Sequence, residues 1–266
     1  MKKISIALCL AGLVSFASAD IFSLSAGYGY EQQNIGGYVK SDRSKNYFGV
    51  KKVDPDTDPF RGYFGLKDKS HPYFWVKLIH PLPIIPNIKF QYTKYETSGH
   101  SDYIAGNIKI FNDVRINTPV FDAETYMSID SYDATLFYEL KPVFADIEFG
   151  LGADYWKGKF KIYDNKNQRY VVNSSGSVIL PYLYGRLESA QIYGFSVLAH
   201  AKLAQVGDKH HYDLLGAVKY TIDIPGPVNP FIKAGYKYKE AYYEDDNDNV
   251  TTLNFRGAFL EIGVKF

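Results

Sequence analysis

The stretch ADIEFGLGADYW, residues 145–156, sets Ala145, Ile147, Phe149, Leu151, Ala153 and Tyr155 against Asp146, Glu148, Gly150, Gly152 and Asp154. Successive side chains of an extended chain point to opposite faces, so a period of two is the signature of a β-strand. Here one face is apolar and aromatic, and the other is charged or bare. The pattern recurs. FSLSAGYGYE puts Phe22, Leu24, Ala26, Tyr28 and Tyr30 opposite Ser23, Ser25, Gly27, Gly29 and Glu31, and SYDATLFYEL puts Tyr132, Ala134, Leu136 and Tyr138 opposite Asp133, Thr135 and Glu139. The last residues, RGAFLEIGVKF, alternate Ala258, Leu260, Ile262, Val264 and Phe266 with Phe259, Glu261, Gly263 and Lys265.

Ten segments carry this alternation: 21–31, 72–80, 87–97, 128–140, 145–158, 176–188, 191–205, 211–224, 230–243 and 253–266. The linkers 81–86, 141–144, 189–190 and 225–229 are short, while 32–71, 98–127, 159–175, 206–210 and 244–252 are mostly longer and more polar. Long outer loops, short inner turns and an even strand count are what an up-and-down membrane barrel requires. A soluble sandwich also alternates. Against it stand 24 Tyr and 18 Phe concentrated near strand ends, as in interfacial girdles. The expected fold is an all-β transmembrane up-and-down antiparallel barrel of about ten strands, with eight or twelve as alternatives.

The N-terminus reads as a leader. Lys2 and Lys3 precede an apolar run from Ile4 to Phe16 and the small residues Ala17-Ser18-Ala19. That is a secretory signal peptide, too short for a spanning helix, so residues 1–19 are expected to be cleaved and 20–266 to form the barrel. The single cysteine, Cys9, leaves with it, which excludes disulfide and thiol chemistry in the remainder. Removing Lys2 and Lys3 from 30 basic residues leaves a net charge of −1 against 29 acidic ones, so nucleic acid is not an expected partner. The expected partners are outer-membrane lipid and lipopolysaccharide and the barrel assembly machinery, with the chain itself a monomer. A barrel has no free edge, so the last strand must pair with the first. Leu260, Ile262, Val264 and terminal Phe266 resemble the signal by which such barrels are handed to their assembly machinery.

The charged face supplies the candidate site. Glu31, Lys77, Lys89, Asp133, Glu139, Asp146, Glu148, Asp154, Lys202, Lys219, Asp223, Lys233, Lys237, Glu261 and Lys265 are expected to line the lumen. Eight strands enclose a space just filled by side chains, and aqueous channels come with 16 or more, so ten strands stand nearer the filled limit. Buried charges must be paired, and a narrow, gated or absent pore follows.

HPLPIIPNIKFQYT, His80–Thr93, places Pro81, Pro83 and Pro86 in a turn between two strands. With Gly36-Gly37, DATLFYEL (Asp133–Leu140) and DIEFGLG (Asp146–Gly152), it resembles a Gram-negative outer-membrane β-barrel family named for a Gly-Gly near its N-terminus. The resemblance covers most of residues 20–266 and departs at LKPVFA, where a more polar turn belongs. It implies an outer-membrane barrel and no activity, substrate or catalytic residue.

Other chemistry-bearing clusters have plainer readings. Asp54, Asp56 and Asp58 have the first, third and fifth spacing of a calcium loop, but Pro59 and Gly65 stand where that loop needs Gly and Glu. The acidic tip Glu244, Asp245, Asp246 and Asp248 reads as a solvated hairpin loop, with divalent ions shared with lipopolysaccharide as the alternative. GDKHHYD, with Asp208, His210, His211 and Asp213, is the candidate for a rim protease or lipid hydrolase, yet adjacent histidines on a strand face opposite ways. His100-Ser101-Asp102 are consecutive and cannot converge as a triad. No enzyme, cofactor or metal is expected. Two readings remain: a structural barrel or narrow passage for small solutes, and a surface binding or adhesion protein acting through loops 32–71 and 98–127.

Overall fold

The computed structural model describes residues 22–41, 46–51, 60–82, 84–104, 106, 108–110, 114–206, 209–244 and 250–266. The leader 1–19, Pro83, the Asp54–Asp58 run, Asp208 and Asp245–Asp248 lie outside the described residues. The elements are β1 (Ser23–Ser41), β2 (Asn46–Gly49), β3 (Phe60–Tyr63), β4 (Lys69–Ile79), β5 (Asn87–Ile104), β6 (Ile108–Ile110), β7 (Val114–Ile116), β8 (Val120–Leu140), β9 (Ala145–Asp164), β10 (Arg169–Ser189), β11 (Phe195–Val206), β12 (Lys209–Thr221), β13 (Asn229–Glu244) and β14 (Val250–Lys265). Ten of them form one antiparallel cylinder in the order β1-β4-β5-β8-β9-β10-β11-β12-β13-β14. It closes where β14 pairs with β1, from Ser25↔Lys265 to Lys40↔Val250, and the Phe266 N–H donates to Leu24 O at 2.8 Å. β2 and β3 extend the sheet beyond the upper end of β1, and β6–β7 form a separate hairpin.

The lower half of the cylinder is apolar outside. Leu136, Phe149, Leu151, Leu183, Val197, Val218, Leu260 and Ile262 all project outward and are exposed. Aromatic rings bound this belt. On one side Phe74, Tyr92, Tyr132 and Tyr155 stand on neighbouring strands, with ring centroids 5.2–6.3 Å apart. Nearer the short turns, Tyr138 meets Phe149 and Phe195 meets Tyr220. An apolar outward band between aromatic girdles is the surface of a membrane-spanning barrel.

Above the Phe74–Tyr155 girdle the polarity inverts. Along β9 the outward row becomes Lys157, Lys159 and Lys161, while Trp156, Phe160 and Ile162 turn inward. Along β5, Lys94 and Glu96 face out while Tyr95 is buried, and along β14 Phe255 and Leu253 are buried within. These inward residues join Phe48, Val50, Phe64, Leu66, Ile104, Ile116 and Val120 in one apolar core that caps the cylinder.

The inversion corrects the strand boundaries. The segment 159–175 is no loop: β9 and β10 continue through it to a four-residue turn at 165–168. There Asp164 accepts from the Asn167 side-chain amide at 2.8 Å and its backbone N–H at 2.9 Å, which holds the carboxyl below its ordinary range. Segments 32–71 and 98–127 are likewise largely strand, and many of their described apolar residues are built into the cap, while Tyr103 and Phe121 stay exposed. Gly36-Gly37 lies inside β1, where a Cβ on Gly37 (φ 124°) would stand 2.1 Å from the Thr252 carbonyl oxygen.

Pro181 interrupts nothing because it stands on an edge. β10 pairs with β11 only from Leu183 to Glu188, so above Leu183 it has β9 on one side and no ladder partner on the other. A proline is tolerated where no donor is demanded.

In lipid vesicles, single cysteines at Phe149 and Leu151 should resist a charged maleimide, whereas Lys159→Cys and Lys161→Cys should react. The opposite pattern would invert the register.

Candidate functional site

At membrane level the inward faces form a ladder of ion pairs rising from the short-turn mouth to the cap. Nearest the mouth, Glu188 contacts Arg186 and Lys219 and accepts from Ser196 Oγ at 2.8 Å. Glu148 is held by Lys77 Nζ at 2.8 Å, by Arg186 and by Tyr184 OH at 2.8 Å. Glu261 binds Lys233 at 2.6 Å and Tyr73 OH at 2.7 Å. Higher, Lys237 lies between Glu31 at 3.3 Å and Asp213 at 3.9 Å, and Asp213 also meets His200 at 3.3 Å. Lys202 binds Asp133 at 2.8 Å, and Tyr182 OH donates to the same carboxylate at 2.9 Å. Under the cap, Asp154 accepts from Lys239 at 2.6 Å, Ser131 at 2.7 Å and Trp156 Nε1 at 2.7 Å.

Several of these contacts run across the lumen as chords. Lys77 on β4 reaches β9, Lys202 on β11 reaches β8, and Lys239 on β13 reaches β9, near the opposite wall. Lysines also lie over rings: Lys239 over Tyr95 and Trp156, Lys202 over Tyr182, Lys233 over Trp75 and Phe259. Such contacts contribute roughly 0.5–2 kcal/mol each. Glycines make room for the rings. A Cβ on Gly27 would strike Trp75 at 2.6 Å, and one on Gly29 or Gly152 would strike Tyr73 or Tyr182 at 2.3 Å. A missing side chain on one strand is thus filled by an aromatic ring from the next, whose hydroxyl in two cases satisfies a ladder carboxylate.

Of the residues singled out from sequence, Glu31, Lys77, Asp133, Glu148, Asp154, Lys202, Lys219, Lys233, Lys237 and Glu261 are brought together in this ladder. Lys89 faces inward over the Trp75 ring at 5.3 Å. Glu139, Asp146, Asp223 and Lys265 line the mouth instead. Asp223 and Lys265 are exposed there, and Asp223 lies beyond the end of β12, which stops at Thr221 before the Pro225-Gly226-Pro227 turn. Leu260 and Ile262 project from the lipid face, while Val264 and Phe266 are half-buried.

The sequence reading missed Arg186, Glu188 and Lys239, and set Asp213 in the histidine cluster rather than on the lumen face. The signal was present: Tyr182, Tyr184, Arg186 and Glu188 alternate with Leu183, Gly185 and Leu187. His210 stacks on Tyr212 and Tyr242 beside Glu240, while His211 is buried edge-on against Trp156. His100 approaches Asp102 and Asp122, but Ser101 is buried and donates to the Tyr103 carbonyl oxygen at 3.0 Å.

At the mouth, a cavity of about 570 Å³ opens between the short turns. It narrows into an inner chamber of about 60 Å³ among the ladder residues, and Trp75, Lys77, Arg186, Leu198 and Lys233 line both. The apolar cap lies beyond.

No family model and no curated relative matches the chain, so the likeness to the Gly-Gly barrel family stands on the quoted motifs alone. Among solved structures the chain is similar to the outer membrane protease OmpT of Escherichia coli, at 8% identity over 94% of this chain and 97% of that one, TM-score 0.42. It is similar to the attachment invasion locus protein Ail of Yersinia pestis bound to a heparin analogue, at 10% identity over 92% and 99%, TM-score 0.36. A Pseudomonas aeruginosa FadL homologue matches at 9% identity over 94% and 91%, TM-score 0.32. Nothing about activity follows from likenesses this distant, and the barrel rests on its own closed ladder.

Removing one partner of a buried pair strands a charge and costs about 3–5 kcal/mol. Glu148→Gln should therefore lower the unfolding free energy in lipid vesicles by about 3 kcal/mol. Lys51→Ala, which breaks a solvent-accessible pair with Asp68, should change it by less than about 1 kcal/mol. Equal small losses would mean that the lumen is well hydrated.

Proposed function

We propose that the protein is a monomeric, integral outer-membrane barrel that is shut at rest, serving as a structural element or a tightly gated passage rather than an open diffusion pore. One observation carries this reading: the inward face changes from charged to apolar along β1, β8, β9 and β14, so a hydrophobic core lies across the outer lumen above the ion-pair ladder. A solute entering at the short-turn mouth meets first the paired charges and then the cap. The short turns face the periplasm, as in other outer-membrane barrels. Catalysis is no part of this reading: His210 stacks on Tyr212 and Tyr242, His211 is buried against Trp156, and His200 is tied to Asp213 within the ladder.

Planar-bilayer recording tests it. The refolded barrel should pass little current. Replacing Lys233 and Lys237 together by Ala should raise conductance or shift selectivity towards cations, at some loss of stability. Nanosiemens currents and passage of large sugars through the wild type would overturn the shut lumen.

The outer face supports a lipid partner. Lys157, Lys159 and Lys161 form one outward row directly above the Tyr132–Tyr155 girdle, and among the described residues none has a carboxylate within 4 Å. On the opposing β10 positions stand Ser177, Ser175 and Asn173. This height suits the phosphorylated headgroups of lipopolysaccharide, which ammonium groups and hydroxyls bind well. Changing the three lysines to Gln should weaken binding of phosphorylated but not dephosphorylated lipid A in nanodiscs. The faster gel migration of the unboiled barrel should persist. Equal binding by wild type and variant would remove the partner.

A further inference from the structure

Between mouth and cap, eight cationic side chains face seven carboxylates: Lys77, Lys89, Arg186, Lys202, Lys219, Lys233, Lys237 and Lys239 against Glu31, Asp133, Glu148, Asp154, Glu188, Asp213 and Glu261. The excess cation has an address. Among the described residues Lys89 has no carboxylate within 4 Å, and the near group recorded for its Nζ is the Trp75 ring. Lys89 lines the inner chamber. The carboxylates beside it there are already engaged: Glu148 by Lys77, Arg186 and Tyr184, Glu261 by Lys233 and Tyr73, Glu31 by Lys237 and Gln33.

We propose that this inner chamber is a binding site for a small inorganic anion, held principally by the Lys89 ammonium and entered from the short-turn mouth. Three features argue for it. An ammonium with no carboxylate partner in a largely desolvated site either gives up its proton or takes a counter-charge; no protein carboxylate supplies one here, and an entering anion holds the proton on Lys89. The chamber adjoins the mouth through shared walls, so an ion has a way in, while the cap closes the far side. Its volume of about 60 Å³ admits a halide-sized ion with one or two waters and excludes sugars and most organic anions. Lys233, whose Nζ also lies over Trp75 at 5.6 Å, adds positive potential without being free itself. The site would neutralise the ladder as a fixed counter-ion.

Trp75 lines both chamber and mouth, while Trp156 belongs to the apolar cap, so tryptophan emission reports the site. The full refolded barrel, in nanodiscs at constant ionic strength made up with a gluconate salt, is titrated with iodide, and in parallel with caesium and with uncharged acrylamide. Quenching by iodide should saturate and be competed by chloride. Caesium should quench weakly, and a Trp75→Phe variant should lose the saturable component. Lys89→Gln should raise the half-saturating iodide concentration roughly tenfold, as loss of a hydrogen bond to a charged group predicts, with acrylamide quenching unchanged. Lys89→Arg should keep the site, which separates charge from misfolding, and unboiled gel migration verifies the barrel in every variant. Non-saturating iodide quenching no stronger than acrylamide's, or identical iodide curves for wild type and Lys89→Gln, would overturn the proposal. Neither result would bear on whether the lumen conducts.

Discussion

Hydrocarbon offers backbone amides no hydrogen-bond partner, and most of this structure follows from that. A sheet crossing a membrane must close, because each unsatisfied N–H or C=O at an edge costs several kcal/mol. β1 and β14 meet that demand from Ser25 to Lys40, with a single interruption at Gln32 and Gln33. Closure then sorts the side chains. With lipid outside, the polar half of each alternating strand has only the lumen to occupy, and ten strands leave too little room there for bulk water. Charges confined in this way must find each other, and the ladder of carboxylates, ammoniums and phenol hydroxyls is the result.

Such pairs are poor sources of net stability. Replacing a buried ion pair by well-packed apolar residues is often neutral or favourable, while removing one partner is strongly unfavourable. What the ladder supplies is position. Chords such as Lys239–Asp154 and Lys202–Asp133 tie walls that share no backbone ladder, so the cylinder cannot flatten or widen without separating charges. Rings over glycines, Trp75 above Gly27 and Tyr182 above Gly152, fill the spaces that the long side chains leave. Above the membrane the constraint is lifted. Water solvates the outer face, so Lys157, Lys159 and Lys161 turn outward, and the lumen takes the apolar residues that lipid no longer accepts.

That change of solvent explains what was legible in the sequence. Within the hydrocarbon belt the alternation announced itself: all ten wall strands were placed, and inward faces were identified on every one of them but β10. The upper halves were not recognised, since a pattern followed as apolar-outward breaks off where Lys157 and Lys159 take the outward positions of Phe149 and Leu151. Arg186 and Glu188 were missed for a related reason: the polar run Asn173–Ser177 and Pro181 blurred the strand that carries them. The chords themselves were not legible, because which Lys meets which Asp across a lumen depends on strand tilt and cylinder diameter, and neither is written in local spacing.

The stepped rim has a kinetic side. β9 and β10 rise well above the β11–β12 hairpin, and β10 above Leu183 is bonded along one flank only. Amides in strands paired on both flanks exchange with solvent only if two neighbouring strands part, which in a closed cylinder means opening the whole ring. From Asn173 to Pro181 the open flank hands its backbone groups to water directly, and a small outward swing of one strand frees the other. The protein therefore combines a nearly unbreathing cylinder with a rim of low opening energy, on β10 and on β5 above Thr93, so its first step towards unfolding is local, lateral and outward.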